Sequence, residues 1–104
     1  MKPYKVYQYQ TIFTSSGEIA NGTYIIDEMI IRTKDGLLNN AVGEYGETLP
    51  AIEKLDGTHS EHWKNGVLHR DDDAAVIDVI DNYCQWWKNG KLVKEDTLVK
   101  GVTK

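Results

Sequence analysis

Cysteine is nearly absent. Cys84 is the only one in 104 residues, so no internal disulfide can form, and a reducing, cytoplasmic compartment is the expected home. Two prolines are too few for a Pro-rich linker. A basic stripe is missing as well: Lys and Arg total 12 against 16 Asp and Glu, a formal net charge of −4. That balance argues against direct nucleic-acid binding and for a basic partner surface or plain solubility. No apolar run approaches the ~20 residues of a membrane-spanning helix. The opening Met1-Lys2-Pro3-Tyr4-Lys5 leads into polar, Tyr-rich sequence without the apolar segment of a secretion signal. Phenylalanine occurs once, leaving six Tyr and three Trp to supply the aromatic character, a bias that suits half-exposed sheet faces.

Catalytic arrangements are also missing. No Ser-His-Asp set, Gly-rich phosphate loop or pair of catalytic carboxylates emerges, and Gly17, Gly22, Gly36, Gly43 and Gly46 are scattered turn formers. His59, His62 and His69 lie close together with Glu61 and Asp71–Asp73 nearby. Zinc, however, wants about four nitrogen or sulfur ligands, and thiolates are lacking. A surface cross-strand pair of His62 and His69 is expected instead, with His59 on the side of Glu61. Cys84 has no His or acid in register and reads as a structural thiol. The expectation is a non-enzyme with no metal and no cofactor.

What the chain does contain is a repeat. Trp63-Lys64-Asn65-Gly66 returns as Trp87-Lys88-Asn89-Gly90, 24 residues on (63 to 87). The register holds around it: Ala51-Ile52 aligns with Ala75-Val76, Leu68 with Leu92, and Arg70-Asp71-Asp72 with Lys94-Glu95-Asp96. An eroded third copy starts at Lys34-Asp35-Gly36-Leu37. Its stretch from Gly36 to Pro50 is 14 residues against 8 from Gly66 to Ala74, which requires an insertion over roughly Asn39–Tyr45.

Asn-Gly is the strongest two-residue hairpin signal, because a type I′ turn needs positive φ at both positions. Each copy is therefore expected to be a hairpin. In the first, Trp63 would oppose Leu68, His62 oppose His69, and Glu61 form an ion pair with Arg70. In the second, Trp87 would oppose Leu92, Trp86 oppose Val93, and Gln85 oppose Lys94. The shared Trp–Leu pair is the expected core-facing couple. Ala74–Ile80, with apolar groups on both faces, reads as a central strand. Tyr4–Phe13 is β-prone, Ser15–Glu18 and Asn21-Gly22 are turn signals, and Thr23–Arg32 is a β-branched run. For Asn39–Leu49, loop and short helix both stay open. The predicted architecture is one mostly β domain over 1–104, an antiparallel meander or rolled sheet of seven or eight strands: N-terminal strands in 1–49, two hairpin repeats in 50–99.

Trp63-Lys64-Asn65-Gly66-Val67-Leu68-His69-Arg70-Asp71-Asp72-Asp73-Ala74-Ala75-Val76 resembles the MORN-like (MORN-variant) repeat of bacterial and bacteriophage proteins, and Pro50-Ala51-Ile52 matches the end of a preceding unit. The likeness spans about residues 50–99. It departs at Asp73-Ala74, where the repeat has Gly-Pro, and at Val93-Lys94, where it has His-Arg. The resemblance implies a β scaffold that binds proteins and carries no catalytic residues.

The functional expectation is a protein-binding module, in its sharper form a small phage-encoded inhibitor of a host defence or CRISPR protein. An acidic surface would occupy the partner's nucleic-acid-binding face. The binding residues expected are Asp71, Asp72 and Asp73 in one loop, with Asp78, Asp81, Glu95 and Asp96 as additions and Trp86 as an exposed interface anchor. The alternative is a self-associating structural or antitoxin-like protein whose open sheet edges pair between copies.

Overall fold

Three two-residue turns set the architecture of the computed structural model, which describes residues 8–98. Asp35-Gly36, Asn65-Gly66 and Asn89-Gly90 all have positive φ at both positions, at 52° and 82°, 49° and 86°, and 49° and 83°. That is the type I′ geometry, whose twist matches that of the flanking strands. The strands it joins belong to an all-β, open, antiparallel arrangement with no helix among the described residues, and so none long and apolar enough to cross a membrane.

The strands in chain order are β1 (Gly22–Ile26), β2 (Met29–Lys34), β3 (Leu37–Leu38), β4 (Ala41–Val42), β5 (Thr48–Leu49), β6 (Ile52–Lys54), β7 (His59–Glu61), β8 (Trp63–Lys64), β9 (Val67–Leu68), β10 (Val76–Asp78), β11 (Tyr83–Lys88) and β12 (Lys91–Asp96). The main sheet runs β1-β2-β6-β7-β10-β11-β12, with β3 paired to β2; β4–β5 and β8–β9 are separate hairpins.

The register reveals three units, the eroded copy around Asp35-Gly36 being the first. Tyr24 pairs with Ile31, Ile52 with Glu61, and Val76 with Gln85; then Thr33 pairs with Leu38, Trp63 with Leu68, and Trp87 with Leu92. Backbone bonds between units repeat in step. The Gly66 N–H donates to the Leu38 carbonyl and the Gly90 N–H to Leu68, both at 2.9 Å. Arg32 N–H donates to the Ala51 carbonyl and His62 N–H to Ala75, both at 2.7 Å. The insertion in the first unit is the β4–β5 hairpin, so Asn39–Leu49 holds strands where a short helix had been one of the open readings.

Trp63, Leu68, Ala51, Ala75, Val76, Leu38 and Trp87 form the core. Each buried indole finds an acceptor two residues back in the chain. Trp63 Nε1 donates to Glu61 Oε1 at 2.9 Å, and Trp87 Nε1 to Gln85 Oε1 at 3.0 Å. Without such a partner, burying the indole N–H would cost about 1–3 kcal/mol.

Several expected details differ. Thr23–Arg32 is two strands, because Asp27-Glu28 makes a tight turn with φ of 49° and 65° and no glycine to announce it. Gly22 begins β1 instead of closing a hairpin. Of the Tyr4–Phe13 run, Tyr4–Tyr7 lies outside the described residues, and the remainder forms one isolated bridge, Phe13 to Ile19. Only Val76–Asp78 of Ala74–Ile80 is strand; it is central, between β7 and β11, while Val79 and Ile80 turn outward. A bulge at Trp86/Trp87 leaves Val93 unpaired, so Trp86 opposes Lys94 and Gln85 opposes Glu95. Glu61 does not meet Arg70: it is buried beneath Trp63, and Arg70 pairs with Asp72. Leu92 is 44 % exposed, so the second Trp–Leu pair is buried on one side only.

This asymmetry is measurable. Trp63→Ala should lower the unfolding free energy by about 3–5 kcal/mol, whereas Leu92→Ala should cost about 1 kcal/mol or less. Urea denaturation followed by fluorescence decides it; equal costs would contradict the one-sided burial of the second pair.

Candidate functional site

The two edges of the main sheet are built differently. At the C-terminal edge, β12 carries Lys91, Lys94, Glu95 and Asp96 in six residues and contains the bulge. Charges and bulges of this kind keep an edge from pairing with another chain. The N-terminal edge, β1, reads Gly-Thr-Tyr-Ile-Ile and has no charge, proline or bulge. Its two-residue turn makes Ile26 and Met29 the closing hydrogen-bonded pair, so the Tyr24–Ile31 and Gly22–Thr33 pairs bond inward. The backbone groups of Thr23 and Ile25 therefore face outward.

Register shows what would belong there. Thr23 is the counterpart of Ala51 and Ala75, whose carbonyls accept N–H groups from the preceding unit. Ile25 corresponds to Glu53 and Ile77, which pair with Ile30 and Ser60 of the preceding unit. Among the described residues unit one has no preceding unit, and none of their strands pairs with the outer side of β1.

Beside β1 lies an apolar groove of about 580 Å³, lined by Ile12, Phe13, Tyr24, Ile31, Leu38 and Ile52 among others. Ile25 and Phe13 at its rim are 66 % and 58 % exposed. One wall is the N-terminal arm, which crosses the turn row: Gln8 bonds the Gly90 carbonyl and the Leu68 N–H, Tyr9 N–H donates to Gly66, and Ile12 N–H to Gly36. The sequence reading did not find this groove. Its signal was the uncharged run Thr23–Ile26, which was legible, but the approach of Ile12 and Phe13 is tertiary.

The expected acidic site is divided between two ends of β11. At the Lys88 end, the Asp71 carboxylate meets His69 Nε2 at 3.1 Å and Lys88 Nζ at 3.4 Å, and Asp72 meets Arg70 Nε at 3.2 Å. The Asp73 carboxylate accepts the Ala74 N–H at 2.8 Å. The hydrogen bond from His69, then Lys88, holds the Asp71 carboxyl below its ordinary range. These partners offset the crowding of three like charges. At the Tyr83 end, about 17 Å of strand away, Asp78 accepts the Asp81 N–H and bonds His59, and the Asp96 carboxylate accepts the Thr97 N–H. Glu95 takes a hydrogen bond from the Gln85 amide and so supports the Trp87 indole from outside. Trp86 is half-buried, with Lys94 Nζ 4.7 Å from its ring centroid, a cation–π contact. Cys84 is buried and donates to the Asp96 carbonyl at 3.7 Å.

The histidines are not a surface pair. His62 and His69 are both buried, and no group of three metal-ligating side chains occurs among the described residues. His69 Nδ1 accepts the Asn89 N–H at 2.9 Å, which places its proton on Nε2, toward Asp71. It holds the turn of the next unit, as Asn39 Oδ1 does for Asn65 N–H at 3.0 Å. His62 Nδ1 has no hydrogen-bond partner among the described residues; burial, then Arg70, pushes the ring down to about 4. His59 does lie with Glu61, at 2.7 Å, and with Asp78 at 2.8 Å. Burial opposes its charge, but the two carboxylates outweigh burial and hold its pKa above the ordinary 6.5.

No family model matches the chain, and neither a curated protein nor a solved structure matches it.

The two histidines act on stability with opposite signs. His62 titrates at 6.5 unfolded and about 4 folded, so the unfolded chain takes up the proton first and stability falls as pH drops through that interval. His59 contributes stability that is complete below about 6.5 and disappears as pH rises through its higher folded value. Urea unfolding across pH should show His62→Gln flattening the acid limb and His59→Gln the neutral-to-alkaline limb. Unchanged slopes in both variants would refute these assignments.

Proposed function

We propose that the protein is a non-enzymatic protein-binding module that engages its partner at the β1 edge and the adjoining groove. The supporting observation is the contrast between edges: β12 is charged and bulged, whereas β1 is uncharged, straight and bordered by exposed isoleucines. Sheet edges of the second kind are where extended segments of other proteins add as strands, main-chain bonds giving affinity and side-chain pockets giving selectivity. The likeness of Trp63–Val76 to MORN-like repeats agrees with a scaffold role, and it is the ground for placing the protein in a bacterial or phage setting as a small inhibitor of a host protein.

A second reading keeps the acidic surface as the contact. The side chains of Asp71 and Asp72 stay 80 % and 84 % exposed, so they remain available to a basic partner despite their internal cations. Electrostatic steering by such groups would show as a salt-dependent association rate.

The two surfaces separate by mutation. In affinity capture from a bacterial lysate, Ile25→Lys should abolish recovery of a partner that the wild type retains, with unfolding free energies within about 0.5 kcal/mol of each other because the side chain is exposed. Replacing Asp71, Asp72 and Asp73 by Lys should leave that recovery intact. The reverse pattern, loss with the triple variant and not with Ile25→Lys, would transfer the binding role to the acidic loop.

A further inference from the structure

The groove sits where the repeat's own pattern has lost its central side chain. Register makes Thr33, Trp63 and Trp87 equivalent, each opposite the leucine that follows its type I′ turn. The residues two positions earlier, Ile31, Glu61 and Gln85, are equivalent as well. In units two and three the pair is an indole and the carboxylate or amide that accepts its N–H, at 2.9 and 3.0 Å. In unit one both members change together. The indole is gone, and so is the acceptor that only an indole needs. Thr33 spends its hydroxyl on the Gly22 carbonyl at 3.2 Å, and Ile31 leaves an apolar floor. Thr33, Ile31, Leu38 and Ile52 then line the groove, Leu38 being the counterpart of Leu68, which packs with Trp63 in the core.

We infer that the groove is a receptor for an aromatic side chain, an indole above all, brought by an extended segment of another protein that pairs antiparallel with β1. The inference rests on the docking reading above and adds the chemistry of the occupant. Two features of the fold supply that chemistry. The fold fills the equivalent position with Trp twice, so leucine, alanine and valine surfaces of this spacing accept a ring. The outward groups of Thr23 and Ile25 correspond to those that bond a preceding strand elsewhere in the stack.

A second copy of the chain offers no fully exposed indole among the described residues. Trp63 on β8 and Trp87 on β11 are buried in the core, and Trp86 is half-buried with Lys94 Nζ over its ring. Among the described residues, the main sheet's edges are β12, with four charges in six residues, and β1, whose one aromatic, Tyr24, accepts the Asn21 N–H on its hydroxyl at 3.0 Å.

The test uses 3-methylindole, the Trp side chain cut at its Cβ, titrated into the full-length protein under NMR observation. The expected result is saturable shift changes with intermolecular NOEs from the ring to the methyl groups of Ile31, Leu38 and Ile52. The double variant Thr33→Trp with Ile31→Gln restores the repeat's pair; it should unfold at a higher temperature and lose probe binding at least tenfold. Should that variant fail to fold, the NOE pattern on the wild type still decides. NOEs absent, or directed to residues outside the groove, overturn the aromatic slot while leaving the edge to the capture experiment. Loss of partner capture with Ile25→Lys alongside an unresponsive groove would mean strand docking without an aromatic anchor. A concentration-dependent dimer in sedimentation, dissociated by Ile25→Lys, would name the second copy as occupant and overturn the inference.

Discussion

Everything in this fold depends on a turn that only a few residue pairs can make. A type I′ bend needs two consecutive residues with positive φ, which Asn-Gly and Asp-Gly supply at little strain. Once made, it determines which residues oppose each other, and a sheet's period of two then decides which side chains are buried. At Gly66 the requirement is also steric, since a Cβ there would lie 3.1 Å from a Leu37 methyl carbon. The same glycine's N–H reaches the preceding unit's leucine carbonyl, so each bend fastens one unit to the next as well as reversing the chain.

Much of this was readable in advance because the information is local. The Asn-Gly pairs, their 24-residue spacing, the opposition of Trp63 with Leu68 and Trp87 with Leu92, and the central position of Val76–Asp78 follow from neighbours in sequence. The eroded copy at Lys34–Leu37 was readable too, as was the need for an insertion after it. What escaped was either disguised or distant. Asp27-Glu28 bends as tightly as Asn-Gly with no glycine, the side chains accepting a left-handed backbone that tertiary pairing enforces. The bulge beside Trp86 moves every later partner on β12 by one, and no residue type announces it.

The candidate site divides along the same line. Counting acids gave a plausible loop, but it could not show that Arg70, Lys88 and His69 were already arranged around them, or that the remaining acids lie at the other end of β11. The His-Arg step of the repeat likewise turns out to hold structure together: His69 holds the next turn, and Arg70 reaches the Ala74 carbonyl at 3.1 Å. The uncharged character of β1 was visible in Thr23–Ile26, yet its meaning depends on its place at the edge of the main sheet among the described residues.

The different treatment of the two edges also bears on stoichiometry. A stack with like ends could elongate, copy upon copy, as open head-to-tail contacts do. Here β12 ends the series with two lysines followed by two acids, which disfavours growth from that side, while β1 carries no charge to oppose pairing. With docking at β1 as proposed, such an object would take one guest strand and then stop, which favours discrete one-to-one complexes over fibres.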